Sequence, residues 1–270
     1  MEPNKQSLLR KQYIDRQRKR KRSVFIGRVL ILIVFFALWE ILTTLDILDP
    51  FIFSSPRRIV HTVMNLLQSG ELARHVGTSV LETVCGFSIG TAAGIMIAVC
   101  LWWSPFIADV LEPHLIVLNS LPKTALGPVF IVLMGAGTGS IIAMTLAISL
   151  IVTILNVLNG FLHTDCEKVR LLRAMGAGRM QIFTKLVLPS NLATIVNVMK
   201  VNIGLSWVGV ITGEFLVSKA GLGYLIVYGS QVFKMDLVMA SVLILAVFAL
   251  IMHIGIVMLE SFVRKRFEII

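Results

Sequence analysis

Apolar residues in this chain fall in blocks near 20 residues long, and not at the 3.6- or 2-residue spacing of a half-buried helix or strand. Six blocks can be drawn, at about residues 26–46, 79–102, 122–136, 140–160, 192–217 and 237–260. About 20 residues of helix cover the roughly 30 Å of bilayer hydrocarbon. The pattern therefore predicts an all-α integral membrane protein with six transmembrane helices. The third block, "PKTALGPVFIVLMGA", is short and interrupted. Residues 47–78 are too polar to span. After Pro56 they carry Ile59, Val63 and Leu66–Leu67 at helical spacing, which predicts a short helix on the outer surface. The stretches 103–121 and 218–236 read as loops.

Composition agrees with this reading. The 270 residues are 56% hydrophobic and 15% charged, against about 45–50% and 25% in soluble domains. The formal charge of +10 is uneven: residues 1–28 hold ten Lys/Arg against Glu2 and Asp15, which is +8. On a soluble protein "RQRKRKR" would suggest nucleic acid. Directly before an apolar block it reads as an anchor facing anionic lipid, and no nucleic-acid partner is expected. With the N-terminus inside, the inner segments carry 18 Lys/Arg and the outer ones 5. This bias predicts that both termini are cytoplasmic. The basic stretch is too long for a signal peptide, so the first helix is expected to be retained.

Catalytic and cofactor chemistry has no visible carrier. Cys85, Cys100 and Cys166 lack metal-ligand or CxxC spacing, and there is no GxxxxGK[ST], HExxH or GxSxG. No enzyme activity, cofactor or metal is expected.

Four features stand out within or beside the spans. Gly86, Gly90 and Gly94 form a four-residue repeat, a smooth face for helix packing. Pro122, Gly127 and Pro128 break the third span, and such breaks are tolerated where protein or a water-filled cavity surrounds them. Lys200 and Glu214 are ionisable groups in the fifth span, about 21 Å apart along the helix. Glu214 precedes Gly221 and Gly223, and either braces that outer segment or lines a pathway. These residues are the candidates for pathway or gate.

The fourth feature is "RAMGAGRMQIFTKLVLPS", residues 173–190, a basic amphipathic stretch between two apolar blocks. Its spacing predicts two short helices hinged at Gly176-Ala177-Gly178, the second with Met180, Phe183 and Val187 on one stripe. Pro189 is expected to push Leu188 out of helical geometry, with Ser190 or Asn191 capping the next span. The loop count puts this stretch inside the cell, where a protruding stripe suits a groove on a partner protein.

This segment resembles the "EAA" loop of inner-membrane permeases of binding-protein-dependent ABC importers. Gly176 is followed by nine residues and then Leu186-Val187-Leu188-Pro189, as in the family pattern. The "EAA" half departs, its positions holding Arg170, Leu171 and Leu172. "LNSLPKTALGPVFIVLMGAGTGS", "VGVITGEFLVSKAGLGYLI" and "SGELARHVGTSVLETVCGFSIGTAAGI" look like other parts of the nitrate/sulfonate/taurine-type permeases. Together these stretches cover about residues 70–256.

The resemblance implies a type I ABC importer permease fold with six helices. It implies a homodimer, or a pair with a similar permease, with two copies of a separate ABC ATPase and an extracytoplasmic solute-binding protein. The ATPase would dock on residues 164–189, and the contacts expected there are Arg173, Ala174, Met175, Gly176, Ala177, Arg179, Ile182, Phe183, Leu186, Leu188 and Pro189. The domain plan that follows is a basic tail at 1–25, the first helix and surface helix at 26–69, the permease core at 70–256, and a cytoplasmic end at 257–270. The substrate class implied is nitrate, a sulfonate, taurine, bicarbonate or a pyrimidine or thiamine precursor. The rival reading is a secondary transporter or channel acting alone, which would favour inverted repeats and paired intramembrane charges.

Overall fold

The computed structural model describes residues 3–266, and among them every regular element is helical. The chain runs α1 (Pro3–Thr44), α2 (Pro50–Phe53), α3 (Pro56–Gln68), α4 (Glu71–Trp103), α5 (Pro105–Ser120), a 3₁₀ turn (Lys123–Leu126) and α6 (Gly127–Met134). It continues through α7 (Thr138–Leu162), α8 (Cys166–Ala174), α9 (Arg179–Ile182), a π turn (Phe183–Val187), α10 (Leu188–Ser190), α11 (Leu192–Val217), α12 (Leu222–Gln231) and α13 (Met235–Arg266). Among the described residues five helices are long and apolar enough to cross a membrane, within α1, α4, α7, α11 and α13. The pair α5 and Lys123–Met134, bent by 86°, makes a sixth span if counted as one.

The core is a three-helix sandwich of α4, α7 and α11, and its glycines are the reason. A Cβ on Gly86, Gly90 or Gly94 of α4 would come within 2.5 Å of Thr145, Ser149 or Thr153 of α7. From the other side, a Cβ on Gly209 or Gly213 of α11 would meet the Cα of Thr145 at 2.6 Å or of Ile141 at 3.1 Å. Lipid gives helices no hydrophobic reason to associate, so close packing of small residues supplies the attraction. The hydroxyls of Thr145, Ser149 and Thr153 donate back to the carbonyl four residues earlier, at 2.8–2.9 Å, so none is left unpaired in this interior. Asn202 of α11 donates to Thr91 Oγ1 of α4 at 3.0 Å and Thr153 Oγ1 of α7 at 2.6 Å, and so ties all three helices.

The structure departs from the sequence reading in four places. Residues 105–120, read as a loop, form α5; Asp109, Glu112, Pro113 and His114 made an otherwise apolar helix look polar. Leu121 before Pro122 is extended (ψ 142), which ends α5 and produces the bend. Residues 222–231, also read as a loop, form α12 behind two glycines. Leu188 stays helical (φ −62, ψ −50): the helix runs unbroken from Arg179 through the π turn to Ser190, with Pro189 next to its end. Asn191 occupies the N-cap of α11 as expected, but its side chain makes no cap bond and donates instead to Thr164 Oγ1 at 2.9 Å and the Val187 carbonyl at 2.8 Å.

The surface helix α3 begins as its sequence suggests, with Ser55 Oγ accepting from Arg58 N at 3.4 Å and Pro56 in the first turn. It buries Ile59 and Leu66. Arg58 then fixes it to α13 through Asp236, at 2.9 and 3.1 Å.

Candidate functional site

The segment joining α7 to α11 leaves the bundle as a folded unit, not a flexible loop. Asp165 starts α8 by accepting from Glu167 N at 3.0 Å and Lys168 N at 3.4 Å. The Lys168 and Glu167 amides hold the Asp165 carboxyl below the usual carboxylate range. Gly176 ends α8 with φ +82, the left-handed region where a side chain is strained. The turn is closed by Ala177 N to the Leu172 carbonyl and Gly176 N to the Arg173 carbonyl, both at 3.0 Å. Gln181 Oε1 accepts from Gly178 N at 2.9 Å and starts the return helix.

Aromatic packing fastens this unit to the bundle. Phe183 sits 5.0 Å from Trp102, 5.6 Å from Phe161 and 6.0 Å from Trp103, ring centre to ring centre. Ile182, Phe183 and Val187 are buried, whereas Leu186, Leu188 and Pro189 are half-buried. The expected Met180–Phe183–Val187 stripe is therefore divided. Phe183 and Val187 face the core, while Met180 lies one turn earlier, beyond the bundle. At the tip Met175 is 74% and Met180 61% exposed, beside exposed Leu171 and Ala174. Arg173 and Arg179 turn the other way and, with Ala177, line a cavity beneath α8. Arg179 donates to the Trp102 carbonyl at 3.1 Å and lies over its ring at 5.4 Å. The loop thus has an apolar tip and a basic underside.

A second cluster closes the opposite end. Glu214 of α11 is 1% exposed. Its Oε1 accepts from Ser79 Oγ at 2.5 Å and its Oε2 from Gly223 N at 2.5 Å. Leu222 N donates to Ser79 Oγ at 2.8 Å, and Gly221 N to His75 Nδ1 at 3.0 Å. The first amides of α12, which have no partner within their own helix, are thus taken up by side chains of α4 and α11. A Cβ on Gly221, whose φ is +122, would collide with the Glu214 carboxyl, and one on Gly223 would come within 2.8 Å of it. The geometry is that of a brace.

The remaining pathway candidates lie apart from this brace. Pro122, Gly127 and Pro128 mark the break between α5 and α6, where a Cβ on Gly127 would come within 2.5 Å of Leu216 of α11. Lys200 pairs with Glu260 of α13 at 2.5 Å. Sequence reasoning passed over His75, Ser79 and Asn202. The signal for Asn202 was present, since a polar side chain inside a span must find partners. Ser79 and His75 stand at the polar start of α4, where nothing distinguishes them from solvated residues.

The chain matches the family described as binding-protein-dependent transport system inner membrane component over residues 90–266. It is 28% identical over 228 residues to the aliphatic sulfonates transport permease protein SsuC of Bacillus subtilis, covering 84% of this chain and 83% of that one. It is 22% identical over 243 residues to the taurine transport system permease protein TauC of Escherichia coli, covering 88% and 87%. Among solved structures, an inward-facing MetNI methionine ABC transporter superimposes with a TM-score of 0.62 at 20% identity, over 72% of this chain and 95% of that one.

Proposed function

The chain belongs to the family of binding-protein-dependent transport system inner membrane components, and from that premise we propose that it forms the transmembrane pathway of an ATP-driven importer for a small sulfonate such as taurine. It is a multi-pass ABC transporter permease of the type I importer fold, a transport subunit and not an enzyme. The proposal adds the partners, the orientation and the substrate.

The observation that carries it is the loop between α7 and α11. A subunit without a nucleotide site can respond to ATP only through contact with a protein that binds it, and only if that contact differs between two states. A rigid unit, hinged at Gly176 and packed on the bundle through Phe183, transmits such a contact. Met175, Met180 and Leu171 at its tip enter a groove on the ATPase. Two ATPase copies serve two permease copies, a homodimer, with the pathway between them. The exposed Val132 and Leu133 of the broken third span belong to the face turned toward the second copy. A solute-binding protein delivers substrate at the α3–α12 end, outside the cell. The loop and both termini are cytoplasmic, in the cell membrane of the organism. The sulfonate assignment follows from the likeness to SsuC and TauC.

Reconstitution of the permease with its ATPase and binding protein in vesicles tests the proposal. ATP-dependent accumulation of labelled taurine or an alkanesulfonate is expected. Uptake that proceeds without the ATPase would restore the reading of a transporter acting alone.

A further inference from the structure

The cavity under α8 differs in composition from the apolar tip formed by Leu171, Met175 and Met180. It holds about 570 Å³, within the usual range of small-ligand sites. Arg170 and Arg173 from α8 and Arg179 from α9 border it, and among the described residues no carboxylate does. Arg170 and Arg173 make no hydrogen bond or ion pair with any described residue. The neighbouring Asp165 is already engaged by two amides and by Lys168 Nζ at 3.3 Å. Three arginines border one cavity, and among the described residues no carboxylate pairs with any of them.

The aromatic lining narrows the ligand. Trp102, next to Trp103 at the end of α4, borders the cavity. Tryptophans at the end of a membrane helix mark the headgroup level. Phe161 and Thr164 also line it. Guanidiniums match phosphate oxygens in pairs, and basic pockets at this level of the cytoplasmic leaflet take anionic headgroups.

We propose that the Arg170–Arg173–Arg179 cavity binds a phosphate-bearing anion, which bridges α8 to the α4–α5 corner. The phosphodiester of an anionic phospholipid and free phosphate share this chemistry. A bound phosphate neutralises the underside of α8 and ties it to Trp102, so the unit moves with α4. The inference draws on the importer reading only for the leaflet, and bound anion is measured without the ATPase, so either can fail alone.

The purified full-length permease is examined by native mass spectrometry with dioleoylphosphatidylglycerol and dioleoylphosphatidylcholine in equal amounts. In parallel, its thermal unfolding is followed in lipid-free detergent with and without orthophosphate. Arg170→Gln/Arg173→Gln and Arg173→Lys are compared with Lys185→Gln, which removes an exposed charge of the same loop away from the cavity. If the source is lipid, wild type retains phosphatidylglycerol preferentially, and the double variant loses about tenfold in retention, as expected for at least one charge-assisted contact. Arg173→Lys falls between, and Lys185→Gln matches wild type. If the source is soluble, the lipid preference is absent, and orthophosphate stabilises wild type but not the double variant. The proposal is overturned if wild type shows neither effect, an outcome that needs no variant to fold. It is also overturned if Lys185→Gln reduces binding as much as the cavity substitutions do.

Discussion

Ser79 of α4 donates its hydroxyl hydrogen to Glu214 of α11 at 2.5 Å, across 135 residues of sequence. The same carboxyl accepts the Gly223 amide, so one buried side chain joins two spanning helices to the start of the short α12. Glu214→Ala leaves both donors without a partner, at about 1–3 kcal/mol each. Thermal unfolding in detergent is expected to fall by several degrees for Ala and by less for Gln, which keeps one carbonyl acceptor. An unchanged melting temperature for Glu214→Ala would remove the brace.

The glycine face of α4 has a built-in control. Gly90→Val places a branched side chain where a Cβ alone would approach Ser149 Oγ to 2.5 Å, whereas a Cβ on Gly77 of the same helix meets nothing within 4 Å. Overpacking costs about 1–3 kcal/mol. Folded yield by size-exclusion fluorescence is therefore expected to drop for Gly90→Val and to hold for Gly77→Ala. Equal yields would mean that α4 and α7 can separate without consequence.

Lys200 and Glu260 hold α11 to α13 with side chains about a quarter exposed. Their coupling in a double-mutant cycle should lie above the roughly 0–1 kcal/mol of an exposed pair and below the about 3–5 kcal/mol lost when a buried pair is broken. The cycle Lys200→Ala, Glu260→Ala and both together, read by thermal unfolding, measures it. Additive losses would show that the two charges act independently.

Cys166 offers a direct reading of orientation, being exposed at the first turn of α8. In a Cys85→Ser/Cys100→Ser background, a membrane-impermeant maleimide should label inverted vesicles and leave intact cells unlabelled. Labelling of intact cells would place the loop outside and reverse the topology.

Much of this fold could be read along the chain, because a helix in lipid must satisfy its own backbone and so announces itself as a long apolar block. Five such blocks are single helices. What escaped depends on distant partners. Asp109 and Glu112 made α5 resemble a loop, although the helix is otherwise apolar and packs on the bundle through Ala108 and Leu115. The candidate loop was legible in its Gly176 turn, because a left-handed residue asks for glycine. Its division into an apolar tip and a basic underside was not legible, since that rests on Trp102 and Phe161 meeting Phe183. Glu214 was visible as an oddity, but its role depends on Ser79, which no local signal marks.

On the proposed function, an ATPase takes hold of the chain at the tip of the α8–α9 loop. The most direct test of this contact is co-purification of the ATPase with Met175→Asp/Met180→Asp, two substitutions at exposed positions that leave Phe183 and the bundle untouched. A folded permease at normal yield is expected, with ATPase recovery reduced at least about tenfold, since two apolar contacts worth roughly 1.5 kcal/mol or more each are replaced by charge. Wild-type recovery of the ATPase with this variant would contradict the account and place the coupling contact elsewhere.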